Sequence, residues 1–192
     1  MLIVVVYESS YGNTHVIASA IGEGMHPSCH VEVVSVAVAS QDLVDAADLL
    51  VVGGPTHVHG MSRVRTRKAA VDAAREPASK LTLDPDAESP GLRAWFGSVR
   101  PATTPAAAFD TRVDAPALLT GRAATGISRQ LRRRGFREIS EPMSFLVTRD
   151  NELVAGQQAS ARQWGSKLAS ILISDRGLAA RIDPEQAGNA PV

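Results

Sequence analysis

Apolar and polar positions along the chain fall into two alternating rhythms. Residues 2–7, LIVVVY, are apolar without alternation, the pattern of a parallel strand covered on both faces. From Asn13 to Met25 the apolar side chains Ile17, Ile21 and Met25 recur one helical turn apart, which predicts an amphipathic helix. Residues 31–38, VEVVSVAV, alternate only in part and predict a half-exposed strand. A short helix in DLVDAAD then leads to a second buried run, Leu49 to Val52, which ends in Gly53-Gly54-Pro55. A helix is expected over about 63–74, a loop-like stretch after it, a short helix in GLRAWFGSV and a strand in AAAFDTRV. Residues 123–134 predict a helix stopped by Gly135, MSFLVT a fifth strand, and Gln157 to Ile173 a last helix.

Strands that alternate with helices predict an α/β class, a doubly wound parallel sheet with helices on both faces. Five strands fit the order 2-1-3-4-5, which places the half-exposed second strand at an edge. Residues 1–174 are expected to form one domain and 175–192, which lack periodicity, a flexible tail. Ligands of such sheets sit beyond the carboxyl ends of the strands, where the strand order reverses. Two distinctive loops, SSYGNT after the first strand and GGPTHVHG after the third, fall there.

Composition changes this picture little. The formal charge is zero, so no global field draws in nucleic acid or an acidic membrane. Cys29 is the single cysteine, which leaves neither an internal disulfide nor a multi-cysteine metal site. No apolar run reaches the length of a membrane span and the chain opens on a strand, so a cytoplasmic location is expected.

The SSYGNT turn decides the chemistry. A helix N-terminus presents unpaired N–H groups and a partial positive charge, so it holds an anion without any cationic side chain. The triphosphate loop requires Gly-Lys-Ser/Thr, yet no lysine precedes Lys68. The dinucleotide fingerprint requires three glycines where this turn has only Gly12. Hydroxyls and amides without lysine suit a terminal phosphomonoester.

Residues 5–21, VVYESSYGNTHVIASAI, resemble the phosphate-binding signature of the flavodoxin-like FMN proteins, with a hydroxyl at Ser9, small Gly12, Thr14, Ala18 and Ile21. The resemblance implies that Ser9, Ser10, Tyr11, Gly12, Asn13 and Thr14 cradle the phosphate of FMN. GGPTHVHGM is similar to the second flavin loop of the family's quinone reductases, which implies that Pro55, Thr56, His57, Val58, His59 and Gly60 approach the ring system. The third flavin loop then falls on Asp110, Thr111 and Arg112. His57 is the candidate catalytic residue, since an imidazole near the ring can supply a proton or steady a reduced anionic flavin. A metal between His57 and His59 is disfavoured, because no further ligand can be placed beside them.

Three functions follow from the resemblance. One is a flavin oxidoreductase that moves electrons from NAD(P)H to a quinone or similar acceptor. The second is an electron carrier that docks to a redox partner protein. The third is a fold relative that binds no flavin, against which the intact Ser9–Thr14 loop argues. Carriers of this family are strongly acidic and sandwich their flavin with Trp or Tyr; this neutral chain offers imidazoles, which favours the reductase. Association into homo-oligomers stays open, with residues 76–105 as a lid or an oligomer contact. The arginines of RQLRRRGFR read as a solvated helix end that complements the helix dipole, with no nucleic-acid role. Arg63, Arg65, Arg67 and Lys68 read as an exposed helix start, with an acidic partner or a phosphorylated cosubstrate as the rival. Trp95 and Phe96 read as core or lid packing.

Overall fold

A computed structural model describes residues 1–182 of the chain, with side chains through Asp175. Strands β1 (Leu2–Tyr7), β2 (His30–Ser35), β3 (Leu49–His57) and β5 (Pro105–Val113) run parallel, in the order β2-β1-β3-β5. Around them lie the helices α1 (Asn13–Glu23), α2 (Gln41–Ala46), α3 (Val64–Arg75), α4 (Leu92–Ser98), α5 (Ala117–Thr120), α6 (Ala123–Arg133) and α7 (Gln157–Ile182). The half-exposed β2 is the edge strand, as its pattern required.

Seven strands form the sheet, where the sequence predicted five. Both additions have local causes. The fifth position is split between β6 (Arg137–Glu138), which pairs with the start of β5, and β7 (Met143–Val147), which pairs with its remainder. Pro142 lies in the break, where it has no N–H for a ladder bond. The other addition is β4 (Gly60–Met61), which turns back antiparallel on the end of β3. The doubly wound order is otherwise the expected one.

Alternation along β1 explains the two-layered core. Ile3, Val5 and Tyr7 face α1 and α7, among Ile17, Ile21, Trp164 and Leu168. Val4 and Val6 face the opposite layer, among Leu92, Trp95, Phe96, Ile127 and Leu131. Trp95 and Phe96 thus pack in the core, and the Trp95 indole donates to the Ala39 carbonyl at 2.9 Å. β1 is apolar throughout because both of its faces are covered.

The last helix continues to Ile182, past the Ile173 at which the sequence ended it. Part of the expected tail is therefore helical, and residues 183–192 lie outside the described residues. The segment 76–105 is packed down rather than left as a free lid. Leu92, Trp95 and Phe96 anchor it, and the Asp84 N–H donates to the Ser10 carbonyl at 2.9 Å.

Candidate functional site

Backbone geometry aims the first loop. Gly12 adopts a left-handed φ of 88° at the N-cap of α1, a conformation that is strained for residues with a Cβ. No side chain caps this helix, so its first N–H groups face outward without a protein acceptor. The Gly12 N–H itself donates to Ser9 Oγ at 3.0 Å, which closes the loop on itself.

A cavity of about 130 Å³ opens at this helix start. It gathers Ser9, Ser10, Tyr11, Asn13 and Thr14 from the first loop, Pro55, Thr56 and His57 from β3, and Thr111 and Arg112 from β5. Three loops distant in sequence thus converge as predicted for most of their residues. The volume lies below the roughly 300 Å³ at which drug-sized ligand pockets begin, so it suits a phosphate-sized group rather than a whole nucleotide.

Several of the predicted side chains already have partners. Tyr11 donates its hydroxyl to the Ala70 carbonyl at 2.9 Å and ties the loop to α3. Asn13 donates from Nδ2 to the carbonyl and Oδ1 of Asn151, at 2.8 and 3.0 Å. Thr14 and Thr111 share a buried hydroxyl–hydroxyl bond of 2.7 Å. Because one bond uses one of their two protons, the pair retains a free donor. The Nε of Arg112 is buried and has no hydrogen-bond partner, although its Nη1 donates to the Ala115 carbonyl at 2.6 Å. Lining residues that bring an orphaned guanidinium N–H, a spare hydroxyl proton and the open N–H groups of α1 make a donor set that fits a phosphate dianion.

His57 lines the same cavity, with Nε2 at 3.4 Å from Ser10 Oγ. Burial holds its pKa below the usual 6.5, the Arg67 charge adds to that, and Glu8 opposes it. His57 is therefore neutral near pH 7, so it can exchange a proton without first losing one.

The rest of the second loop goes elsewhere. β3 runs on past the sheet and pairs His57 with Gly60, which leaves Val58 and His59 as a two-residue hairpin turn. Their φ values of 42° and 69° are both left-handed, as a type I′ turn requires. Gly121 clamps the tip: a Cβ there would lie 2.2 Å from the His59 carbonyl oxygen. Val58, His59 and Gly60 line a larger cavity, and Val58 shares a further one of about 420 Å³ with His57.

Asp110, placed by sequence in the third loop, is fully buried and lines neither cavity. Its Oδ2 accepts from the Ala124 N–H at 2.8 Å and from Thr56 Oγ1 at 3.0 Å, while Thr56 Oγ1 accepts from the Ala123 N–H at 2.8 Å. Thr56 and Asp110 together thus cap α6. Burial raises the Asp110 pKa, partly offset by the Ala124 N–H, Ser144, Thr56 and the charge of Arg122.

Two acids that the sequence reading passed over support the first loop. Glu8, at the end of β1, accepts from Ser62 Oγ and, at 2.8 Å, from the Leu92 N–H that opens α4. Asp84 lies 3.3 Å from His15 Nδ1, and that ring stacks on Tyr7 at 4.4 Å between centroids. Burial, then Asp84 and Asp86, push the Tyr7 hydroxyl up to about 12. A carboxylate in YESSYGNT, at the mouth of a wholly apolar strand, was the available signal for Glu8.

The flavodoxin family's sequence profile matches residues 5–97, which hold both of the first two loops. No curated sequence matches the chain. Among solved structures, a flavodoxin from the domain Archaea is similar at 21% identity and a TM-score of 0.62, over 90% of this chain and 99% of that one. A WrbA-like flavodoxin from Agrobacterium tumefaciens is similar at 23% identity and 0.53, over 90% of this chain and 98% of that one. The rubredoxin oxygen:oxidoreductase of Desulfovibrio gigas is similar at 15% identity and 0.61, over 90% of this chain but 36% of that one. These likenesses share the fold.

Proposed function

We propose that this chain, flavodoxin-like by its fold and by the family match of residues 5–97, is an FMN-binding redox protein. The observation that carries the reading is the small cavity at the uncapped start of α1, with Arg112, whose buried Nε–H has no partner, among its lining residues. Ser9, Thr14, Thr111, Arg112 and the first N–H groups of α1 would hold the phosphate. FMN, when bound, supplies reversible acceptance of electrons and protons, and the protein tunes that chemistry. His57 would hold or pass a proton at Nε2, with Ser10 Oγ fixing the imidazole. Pro55 and the flanks of β3 and β5 would exclude water from one side of the ring.

Within that reading we assign a flavin oxidoreductase that takes electrons from NAD(P)H and delivers them to a quinone or similar acceptor. Its support is a neutral, half-buried imidazole at the cavity and the lack of a Trp or Tyr side chain lining it beyond Tyr11. The test is oxidation of NADH or NADPH by the FMN-loaded protein with a soluble quinone. Turnover that falls in His57→Ala while FMN stays bound supports the assignment; no turnover with either nucleotide rejects it. A second reading, an electron carrier for a protein partner, is favoured by the charged face described next.

A further inference from the structure

A cavity of about 830 Å³ lies against the β3–β4 hairpin. Arg63, Arg93, Arg122, Arg129 and Arg133 line it, and no carboxylate does. Arg129 and Arg133 sit one turn apart on α6 and so share a face. None of the five is in an ion pair among the described residues. Arg93 and Arg122 are instead fixed by main-chain carbonyls, at 2.8 Å from Ser62 and 2.6 Å from Pro142. Arg122 also acts on the buried Asp110. A net charge of zero therefore conceals a concentrated positive patch.

Apolar side chains stand in the same place. Val58 is 82% exposed and Leu118 92% exposed, and both line this cavity. Leu119 and Val64, next in sequence to Leu118 and Arg63, are exposed as well. Scattered exposed hydrophobics are ordinary, but a group ringed by arginines is not. Guanidinium groups alone would suit a phosphorylated small molecule or an acidic protein equally well. The valine and leucines decide between them, because a small polyanion gains little from them, whereas protein interfaces combine an apolar centre with a polar rim rich in Arg. A second copy of the chain would bring like charge against like charge.

We propose that this face docks an acidic protein, with Val58 and Leu118 at the centre and the arginines around them. Docking there places the partner on the hairpin whose base, His57, lines the candidate flavin cavity. The partner's redox character rests on the FMN reading; the docking itself does not.

The test titrates the full chain, with and without FMN, by calorimetry. The probes are a plant-type ferredoxin as the acidic protein, cytochrome c as a basic control of similar size, and tripolyphosphate. Ferredoxin binds at low ionic strength and weakens steeply with salt, and cytochrome c does not bind. Arg129→Gln with Arg133→Gln raises the ferredoxin Kd about tenfold, and Leu118→Ser raises it several-fold at constant salt. Absence of ferredoxin binding overturns the proposal. So does arginine-dependent binding of tripolyphosphate with ferredoxin binding indifferent to Leu118→Ser, which would make the cavity a small-anion site. Ferredoxin binding by a chain that takes up no FMN keeps the docking and removes the flavin reading. FMN uptake without ferredoxin binding does the reverse.

Discussion

Thr14 and Thr111 meet through a 2.7 Å hydroxyl bond across 97 positions of sequence, and that pair is the innermost part of the candidate phosphate site. Thr14→Val keeps the shape, leaves the Thr111 hydroxyl without its partner and removes the Thr14 hydroxyl from the candidate site. A stability loss of about 1 kcal/mol by denaturant unfolding and a roughly tenfold weaker FMN affinity are expected. Unchanged affinity would place the phosphate elsewhere. His57 makes a second test at this scale. Burial keeps its folded pKa below 6.5, so as pH falls through 6.5 the unfolded chain takes up the proton first. Stability therefore rises with pH across that window and falls toward acid, until the folded-state imidazole also protonates. His57→Gln removes this contribution. Denaturation midpoints at about pH 7 and pH 5.5 should differ less in the variant than in the parent; an equal difference would mean that His57 is not desolvated.

The elements differed in how far the sequence revealed them, and the reason is physical. β1 and α1 were legible because their patterns are set by burial on both faces and on one face, respectively. The SSYGNT loop between them was legible as a turn because its small polar residues interrupt the two apolar patterns. The β3–β4 hairpin was not, because Val-His is a poor type I′ turn and only tertiary clamping by Gly121 holds it. That turn also explains why His59 and Gly60 line a different cavity from Pro55, Thr56 and His57. The break between β6 and β7 hid behind the short length of each piece, and the capping role of Asp110 behind the 14 positions of sequence that separate it from Ala124. Glu8 tests the element scale directly. Its carboxylate joins β1 to the start of α4 and to Ser62, so Glu8→Ala leaves two buried donors unpaired. Destabilisation of about 2 kcal/mol is expected from chemical denaturation, with Glu8→Gln milder; a neutral Glu8→Ala would mean that α4 is held by its apolar face alone.

For the whole molecule, the doubly wound sheet brings the candidate chemistry to one end, with a phosphate-sized cavity at the base of the β3–β4 hairpin and a basic, partly apolar face against the hairpin. The segment 76–105 braces that end from outside through Asp84 and α4. No helix among the described residues is long and apolar enough to cross a membrane. The central claim is that the open start of α1 grips the phosphate of a flavin mononucleotide. A fluorescence titration of the purified chain with FMN and, in parallel, with riboflavin tests it most directly. The account predicts saturable quenching of FMN at one equivalent and binding of riboflavin weaker by at least about two orders of magnitude, since only FMN carries the phosphate. Equal affinity for the two, or no quenching of either, would contradict it.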